Sequence, residues 1–383
     1  VVLVIIAIYL LYRRLKQLLD DVIFGEKDIH SERVNNLKNI INRRRLHSLL
    51  VTNLTNIHYL TGFTGSSGCL IITKDKNIFL TDFRYKEEAE GKLEGWDIII
   101  EKGKRIEVIK KLIKNLAIKS MGFESSVSFD FFDKLTKIGI GLKPLKGVIE
   151  DLRAVKDDYE LSAIRMAVER AEKSFLEVKP FIKSGVTERG IMLRLEERLK
   201  KNGCKKIPFE IIVASGKNSS KPHAKATDNK VRRGDFLIID WGGECNGYYS
   251  DITRTFIIRG GSDLEKKRFL YKVVLEANKN AIRNISLGKE AHEIDKSARD
   301  VIEKAGYGEN FGHGTGHGVG LDVHELPSIN RRSRDKIKEN MVFTVEPGIY
   351  ITGLGGVRIE DMVITKEKGC LVLTSLNKEL EII

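Results

Sequence analysis

A chain of 383 residues favours two domains over one, because single hydrophobic cores rarely keep growing past about 250–300 residues. Apolar residues at 42% and charged residues at 31% exclude a disordered chain and a membrane helix bundle. The net charge of +13 raises the question of nucleic acid, but 66 basic side chains are interleaved with 53 acids along the whole length. The densest basic cluster, Arg331 to Lys338, holds an aspartate and no aromatic for base stacking, so a solvated lysine-rich surface is the preferred reading and no nucleic-acid partner is expected.

The N-terminus opens on an apolar run, Val1 to Tyr12, followed by Arg13 and Arg14. The run is shorter than the ~20 residues a spanning helix needs, and its positive charge follows the apolar stretch instead of preceding it as in a secretory signal. Residues 1–30 are therefore read as an extension or start-site artefact, with membrane association through residues 1–14 as the less favoured alternative. Next, Val34, Leu37, Ile40 and Ile41 recur at helical spacing within residues 32–46. Short β-like runs follow at 48–52, 68–73 and 77–81, with Asn53, Asn56, Gly62, Gly65 and Gly68 read as turn residues between them. Further elements at 96–100, 106–116 and 121–124 complete a small α/β domain, 31–150, with a mixed sheet.

Residues 151–158 read as a linker. A helix is expected over 160–178, and another after Thr187, a good N-cap, running to a stop at Gly203. Strands are expected at 209–214, 235–241 and 248–258. The same order then recurs: helices over 263–285 and 291–305, then strands at 341–346 and 356–365. Two such halves meeting around a shared cleft make a natural place for a site, in a catalytic domain spanning 155–375. The four cysteines form no CxxC pair, zinc knuckle or disulfide framework, which fits reduced thiols and a cytoplasmic protein.

The residues that carry chemistry are acids and histidines on strands and glycine-rich turns. Asp240 ends an apolar strand and Asp251 lies on the next. A hairpin with a four-residue loop at Glu244–Gly247 would set the two opposite each other, with Cβ atoms ~4.5–5.5 Å apart. Carboxylates that close repel unless protonated or bridged by a cation; the alternative is two exposed strand-end aspartates. Glu346 and Glu360 supply matching acids in the second half, with Arg358 on the same strand face as Glu360. Between them, Phe311 to Glu325 (FGHGTGHGVGLDVHE) packs three histidines and five glycines into fifteen residues. Glycine permits close backbone approach and positive φ. Imidazole beside carboxylates suits Mn, Co, Zn or Fe better than Ca or Mg.

Asp240, Asp251, HGTGHGVGLDVHE, TVEPGIY and GGVRIED together resemble the dinuclear-metal peptidases: aminopeptidase P, prolidase and methionine aminopeptidase. The likeness covers roughly residues 32–365. It implies an α/β two-domain chain with a creatinase/prolidase-type N-terminal domain and a pita-bread (creatinase/aminopeptidase) α+β catalytic domain with pseudo-twofold halves. It also implies two divalent ions, with manganese expected and Co, Zn or Fe as alternatives, held by Asp240, Asp251, His317, Glu346 and Glu360. Asp251 and Glu360, or a bidentate Asp240, would bridge or clamp the pair. In the resemblance Glu346 serves as general base and acid, and His324 donates to the scissile carbonyl. His223 contacts substrate, Arg358 orients the acidic cluster, and His313 is not a ligand.

Methionine aminopeptidase resembles the second domain only, so the first domain (YLTGFTGSSG, LTDFRY) points to the other two. Prolidases often carry an arginine at the position of Ser328, which tilts the expectation toward an Xaa-Pro aminopeptidase acting on peptides with proline second, with Xaa-Pro dipeptidase as the alternative. A creatinase-like amidinohydrolase and a non-enzymatic scaffold both predict a degraded ligand set, whereas all five residues are present. The resemblance further implies a homodimer.

Overall fold

The structure, a computed structural model, describes residues 29–261 and 264–383. The expectations for the apolar N-terminal run and for a helix start at Asp263 lie outside the described residues. The chain divides into two compact units, the first ending at Leu152 and the second running Arg153–Ile383. Among the described residues no helix is long and apolar enough to cross a membrane.

In the first unit, a helix over residues 29–43 buries Val34, Leu37 and Ile41, the stripe expected from their spacing. Six strands form one mixed sheet, ordered Asp97–Ile100, Asn77–Thr81, Cys69–Thr73, Ser48–Val51, Ser120–Glu124 and Gly141–Leu145. The first pair and the last two pairings are parallel and the others antiparallel. Asn53 and Asn56 do not separate strands as turn residues. Asn53 is the N-cap of a helix, Leu54–Thr61, its side chain accepting from the backbone of Thr55 and Asn56. Asn56 is fully buried inside that helix, where its amide donates to Glu124 (2.7 Å) and Glu150 (2.8 Å). Two carboxylates 68 and 94 residues away turn a breaker into a core residue.

The second unit repeats one plan. Helices Asp158–Val178 and Glu188–Lys201 accompany a sheet ordered Glu381–Ile382, Ile252–Ile257, Phe236–Trp241, Ile212–Ser215. Helices Leu264–Arg283 and Ala291–Lys304 accompany a sheet ordered Glu325–Ile329, Gly316–Gly318, Val342–Val345, Asp361–Thr365, Cys370–Val372. Thr187 caps its helix as expected, accepting from Gly190 N at 3.0 Å. The proposed linker is more ordered than its composition suggests. Residues 151–153 close the helix Val148–Arg153, Val155 bridges to Met341, and Asp157 begins the next helix with a reciprocal capping box to Glu160.

Two expected strands are broken, each at an acid. Tyr248–Tyr249 and Ile252–Ile257 are separate strands, so Asp251 lies between them and not on a strand. Gly355–Arg358 pairs with Gly348–Ile351, whereas Asp361–Thr365 pairs with Val342–Val345, leaving Glu360 at the crossing from one ladder to the other. The expected strand at 209–214 begins only at Ile212.

Behind Glu360, Asp361 is almost wholly buried and accepts from Arg254 (2.9 Å), Lys378 (2.6 Å) and Thr374 (2.8 Å). Burial alone would raise its pKa, but the two cations outweigh it and hold the carboxyl below its usual value. A carboxyl with a depressed folded pKa contributes stability above its unfolded pKa, and that contribution is lost as pH falls through the folded value. Asp361→Asn is therefore expected to cost about 3–5 kcal/mol at neutral pH, as for a buried pair stripped of one partner. The gap from wild type should hold from pH 7 down to the unfolded carboxyl pKa of about 4 and narrow only below it, read by denaturant titration from neutral pH to about pH 2. A gap independent of pH would show that the cations are not what holds this corner together.

Candidate metal centre

The hairpin carrying Asp240 and Asp251 differs from the expected one in its turn. Cys245 pairs with Tyr248, so the loop is the two residues Asn246 and Gly247, at φ +51° and +83°. Positive φ at both central positions is the signature of a type I′ turn, which Asn-Gly favours. Asp240 consequently faces Thr253 and not Asp251. A displacement of two residues keeps every side chain on its original face, and both carboxylates still reach one cavity. Neither is the exposed strand-end aspartate of the alternative reading, since they are 9% and 6% accessible.

The glycines of HGTGHGVG act through close approach alone, as none of them has positive φ. At Gly316 a Cβ would lie 1.9 Å from the carbonyl oxygen of Thr344. That contact lets His317 sit in the sheet beside the strand leading to Glu346, its N–H donating to Thr344 Oγ1 at 3.1 Å.

Asp240, Asp251, His317, Glu346 and Glu360 all line one cavity of ≈490 Å³, together with His223, His313, His324 and Arg358. Asp251, His317 and Glu360 each offer a ligand atom within 4.8 Å of the other two. His317 Nε2 lies 3.3 Å from Glu346 Oε1 and 3.7 Å from Asp251 Oδ2. Asp240 Oδ1 and Glu360 Oε1 are buried with no hydrogen-bond partner. Orphaned carboxylate oxygens at full burial are costly, and a cation is the partner that removes the cost. A mixed carboxylate and imidazole donor set fits Mn, Fe, Co or Zn.

Protonation follows the same geometry. Burial, then the negative charges of Glu360, Asp240 and Glu346, push Asp251 well above the usual carboxylate range. Burial and the charges of Glu346 and Asp240 do the same to Glu360. Asp240 is raised by burial and by Glu346 against the opposing charge of Arg358. Burial would also raise Glu346, but the hydrogen bond and charge of His317 bring it down to about 2. Burial would lower His317, and Glu346 in turn raises it.

Arg358 is a fixed member of this wall. Its Nη2 donates to Asp240 Oδ2 at 2.6 Å and its Nη1 to Tyr350 Oη at 2.8 Å. Tyr350 passes the contact on to His313 Nε2 at 3.0 Å, while His313 Nδ1 lies 2.7 Å from its neighbour's carbonyl. Both ring nitrogens of His313 are thus engaged within the protein. Sequence reasoning missed Tyr350 as a link, although it stands in the TVEPGIY block. It also missed Thr253, which donates to Glu360 Oε2 at 2.7 Å; its place two residues beyond Asp251, on the same face, was the available signal. A further support is the buried pair Asp295–Arg299. Arg299 donates to the carbonyls of Phe311 and His313, and Asp295 accepts from Thr315 N and Oγ1.

Residues 162–367 match metallopeptidase family M24, and residues 33–155 match the creatinase/prolidase N-terminal domain. This chain belongs to metallopeptidase family M24. Within that family it is 36% identical over 357 residues to the Xaa-Pro dipeptidase of Pyrococcus horikoshii, covering 92% of this chain and 99% of that one. Among solved structures it is similar to an Xaa-Pro dipeptidase from Bacillus anthracis (37% identity, TM-score 0.89, 92% and 100% covered). It is similar as well to an X-Pro aminopeptidase from Thermotoga maritima (36% identity, TM-score 0.84, 91% and 99% covered). The two-domain architecture, with a pita-bread M24 domain following the creatinase/prolidase domain, is thereby established. M24 membership implies divalent metal, which the donor set above accommodates.

Proposed function

We propose that this M24 hydrolase is an Xaa-Pro aminopeptidase that removes the first residue from peptides with proline second. Asp240, Asp251, His317, Glu346 and Glu360 would hold two divalent ions, with manganese first and Co, Zn or Fe as alternatives. When bound, such ions supply a water acidic enough to ionise near neutral pH. Glu346, whose carboxylate lies 3.3 Å from His317 Nε2, takes and returns its proton. His324, on the cavity wall, donates to the carbonyl oxygen as negative charge develops there. Arg358 orients Asp240 and opposes the rise in its pKa, and His223, on the cavity wall, contacts the substrate.

The observation that carries the preference for longer peptides is Ser328. It lines the cavity, its hydroxyl accepting from Asn330 at 2.6 Å, where a dipeptide enzyme benefits from a cation opposite the substrate carboxylate. A neutral wall there leaves room for a continuing chain. The dipeptidase reading draws support from Lys225, an exposed cation on the same cavity, and from the relatives named Xaa-Pro dipeptidase. Purified protein loaded with Mn²⁺ should release the first residue from X-Pro-Y tripeptides faster than it splits X-Pro dipeptides, and should leave Met-Ala-Ser intact. Preference for the dipeptide would select the dipeptidase reading, and cleavage of neither X-Pro substrate with metal bound would end both.

A further inference from the structure

The turn carrying His324 is held by a charge group outside the metal cluster, in which the Arg153, Lys156 and Glu325 side chains are buried and that of Asp322 is partly exposed. Arg153 and Lys156 come from the segment just before the helix Asp158–Val178, and both side chains are almost fully buried. Arg153 Nη2 donates to Asp322 Oδ2 at 2.7 Å and to Glu325 Oε2 at 2.6 Å. Lys156 Nζ donates to the other oxygen, Glu325 Oε1, also at 2.6 Å. Asp322 and Glu325 stand on either side of His324 in the sequence. One guanidinium nitrogen therefore ties together the two ends of the four-residue stretch that presents the imidazole to the cavity.

The backbone is shaped for this. A Cβ on Gly320 would sit 2.2 Å from Glu325 Oε1, so only glycine leaves that carboxylate its place. Gly320 N also donates to the Asp322 carbonyl at 3.0 Å, and its own carbonyl accepts from Tyr249 N at 2.9 Å. His324 itself is exposed on the cavity side, its ring centroid 4.2 Å from that of His317. An imidazole exposed on one side has little packing beyond the His317 ring to hold it, so its position depends largely on the backbone beneath.

We propose that Arg153 and Lys156 are positioning residues for the reaction, acting through Glu325 and Asp322 to set the place of His324. Neither touches the cavity, and neither is a catalytic residue. The arrangement explains why two cations are buried 169 to 172 residues away from the carboxylates they meet. A buried ion pair is a weak device for stability, because desolvation cancels most of its attraction, and a better one for fixing a unique geometry. This inference rests on the peptidase reading of the site, in which His324 meets the carbonyl oxygen.

The test uses the metal-loaded full chain with an X-Pro-Y peptide and compares Lys156→Met, Arg153→Met, Arg153→Lys and Glu325→Gln. A misplacement of about 1 Å at a reacting group costs roughly 10²-fold. Lys156→Met and Arg153→Met should each lose about 10- to 100-fold in kcat with KM and bound metal unchanged, and Arg153→Lys should recover a large part. In a Glu325→Gln background, Lys156→Met should cost little more, since the pathway to His324 is already cut. That double variant also removes both partners of one pair, which keeps the fold if a single variant loses it. Wild-type kcat in folded variants, or a full further loss from Lys156→Met in the Glu325→Gln background, would overturn the proposal. If wild type itself cleaves no X-Pro peptide, the reading of the site fails first, and the two failures are thereby told apart.

Discussion

Chelator-stripped protein is expected to lose more than about 10³-fold in X-Pro hydrolysis and to regain it on adding Mn²⁺ or Co²⁺. The loss follows from the several kcal/mol that metal ions contribute to such reactions, at 1.36 kcal/mol per factor of ten. Glu360→Gln and Asp240→Asn should reproduce it at normal metal concentration, because each replaces a buried carboxylate whose second oxygen has no other partner. Equilibrium dialysis should show weaker or fewer bound ions in both.

The pH dependence of uptake has a definite sign. Burial and their negative neighbours raise Asp251 and Glu360 well above the usual carboxylate range, and Glu346 raises His317 against the lowering by burial. Metal binding needs all three deprotonated, so uptake releases protons. Affinity should rise with pH until those groups ionise by themselves, measured by metal titration at stepped pH with a proton-sensitive dye. Full activity after chelation, or uptake indifferent to pH, would contradict the assigned ligand set.

The second large effect is expected at His324. His324→Ala should lower kcat by about 10²–10³, the usual cost of removing one donor to a developing oxyanion. KM should change little and bound metal not at all, because the proposed ligand set does not include His324. Burial and the neighbouring His317 lower its pKa, so near neutrality it is a neutral imidazole that donates through one N–H. His324→Gln, which keeps a donor on a different stem, should recover part of the rate. A variant that loses metal along with activity would make His324 a ligand, and one with unchanged kcat would remove it from the reaction.

Much of this site was legible because its signals are local. Asp240 ends an apolar run, Glu346 follows one, Glu360 falls in a run of alternating hydrophobicity, and three histidines fall among five glycines between Phe311 and Glu325. Alternation with period two also protected the reading from its own mistake. The Asn246–Gly247 turn shortens the expected loop by two residues, yet a two-residue displacement changes the neighbour of Asp240 without changing its face. The positive-φ role expected for the HGTGHGVG glycines was wrong for a comparable reason. Glycine admits both unusual dihedrals and close approach, and only the neighbouring strand at Thr344 says which one is used.

What the sequence determined by itself was the kind of chemistry, the order of the elements and the face on which each acid stands. Hydrophobic period, capping residues and donor type depend on residues a few positions apart. The tertiary structure decided the rest. It broke two strands at Asp251 and Glu360, because the chain there leaves one ladder for another. It made Asn56 a core residue by bringing Glu124 and Glu150 to it. It also placed Arg153 and Lys156 beneath Glu325, 169 to 172 residues along the chain. A buried polar group must find a partner, but its identity depends on which distant segment the packing delivers. That choice is made by the whole fold and leaves no mark in the residues beside it.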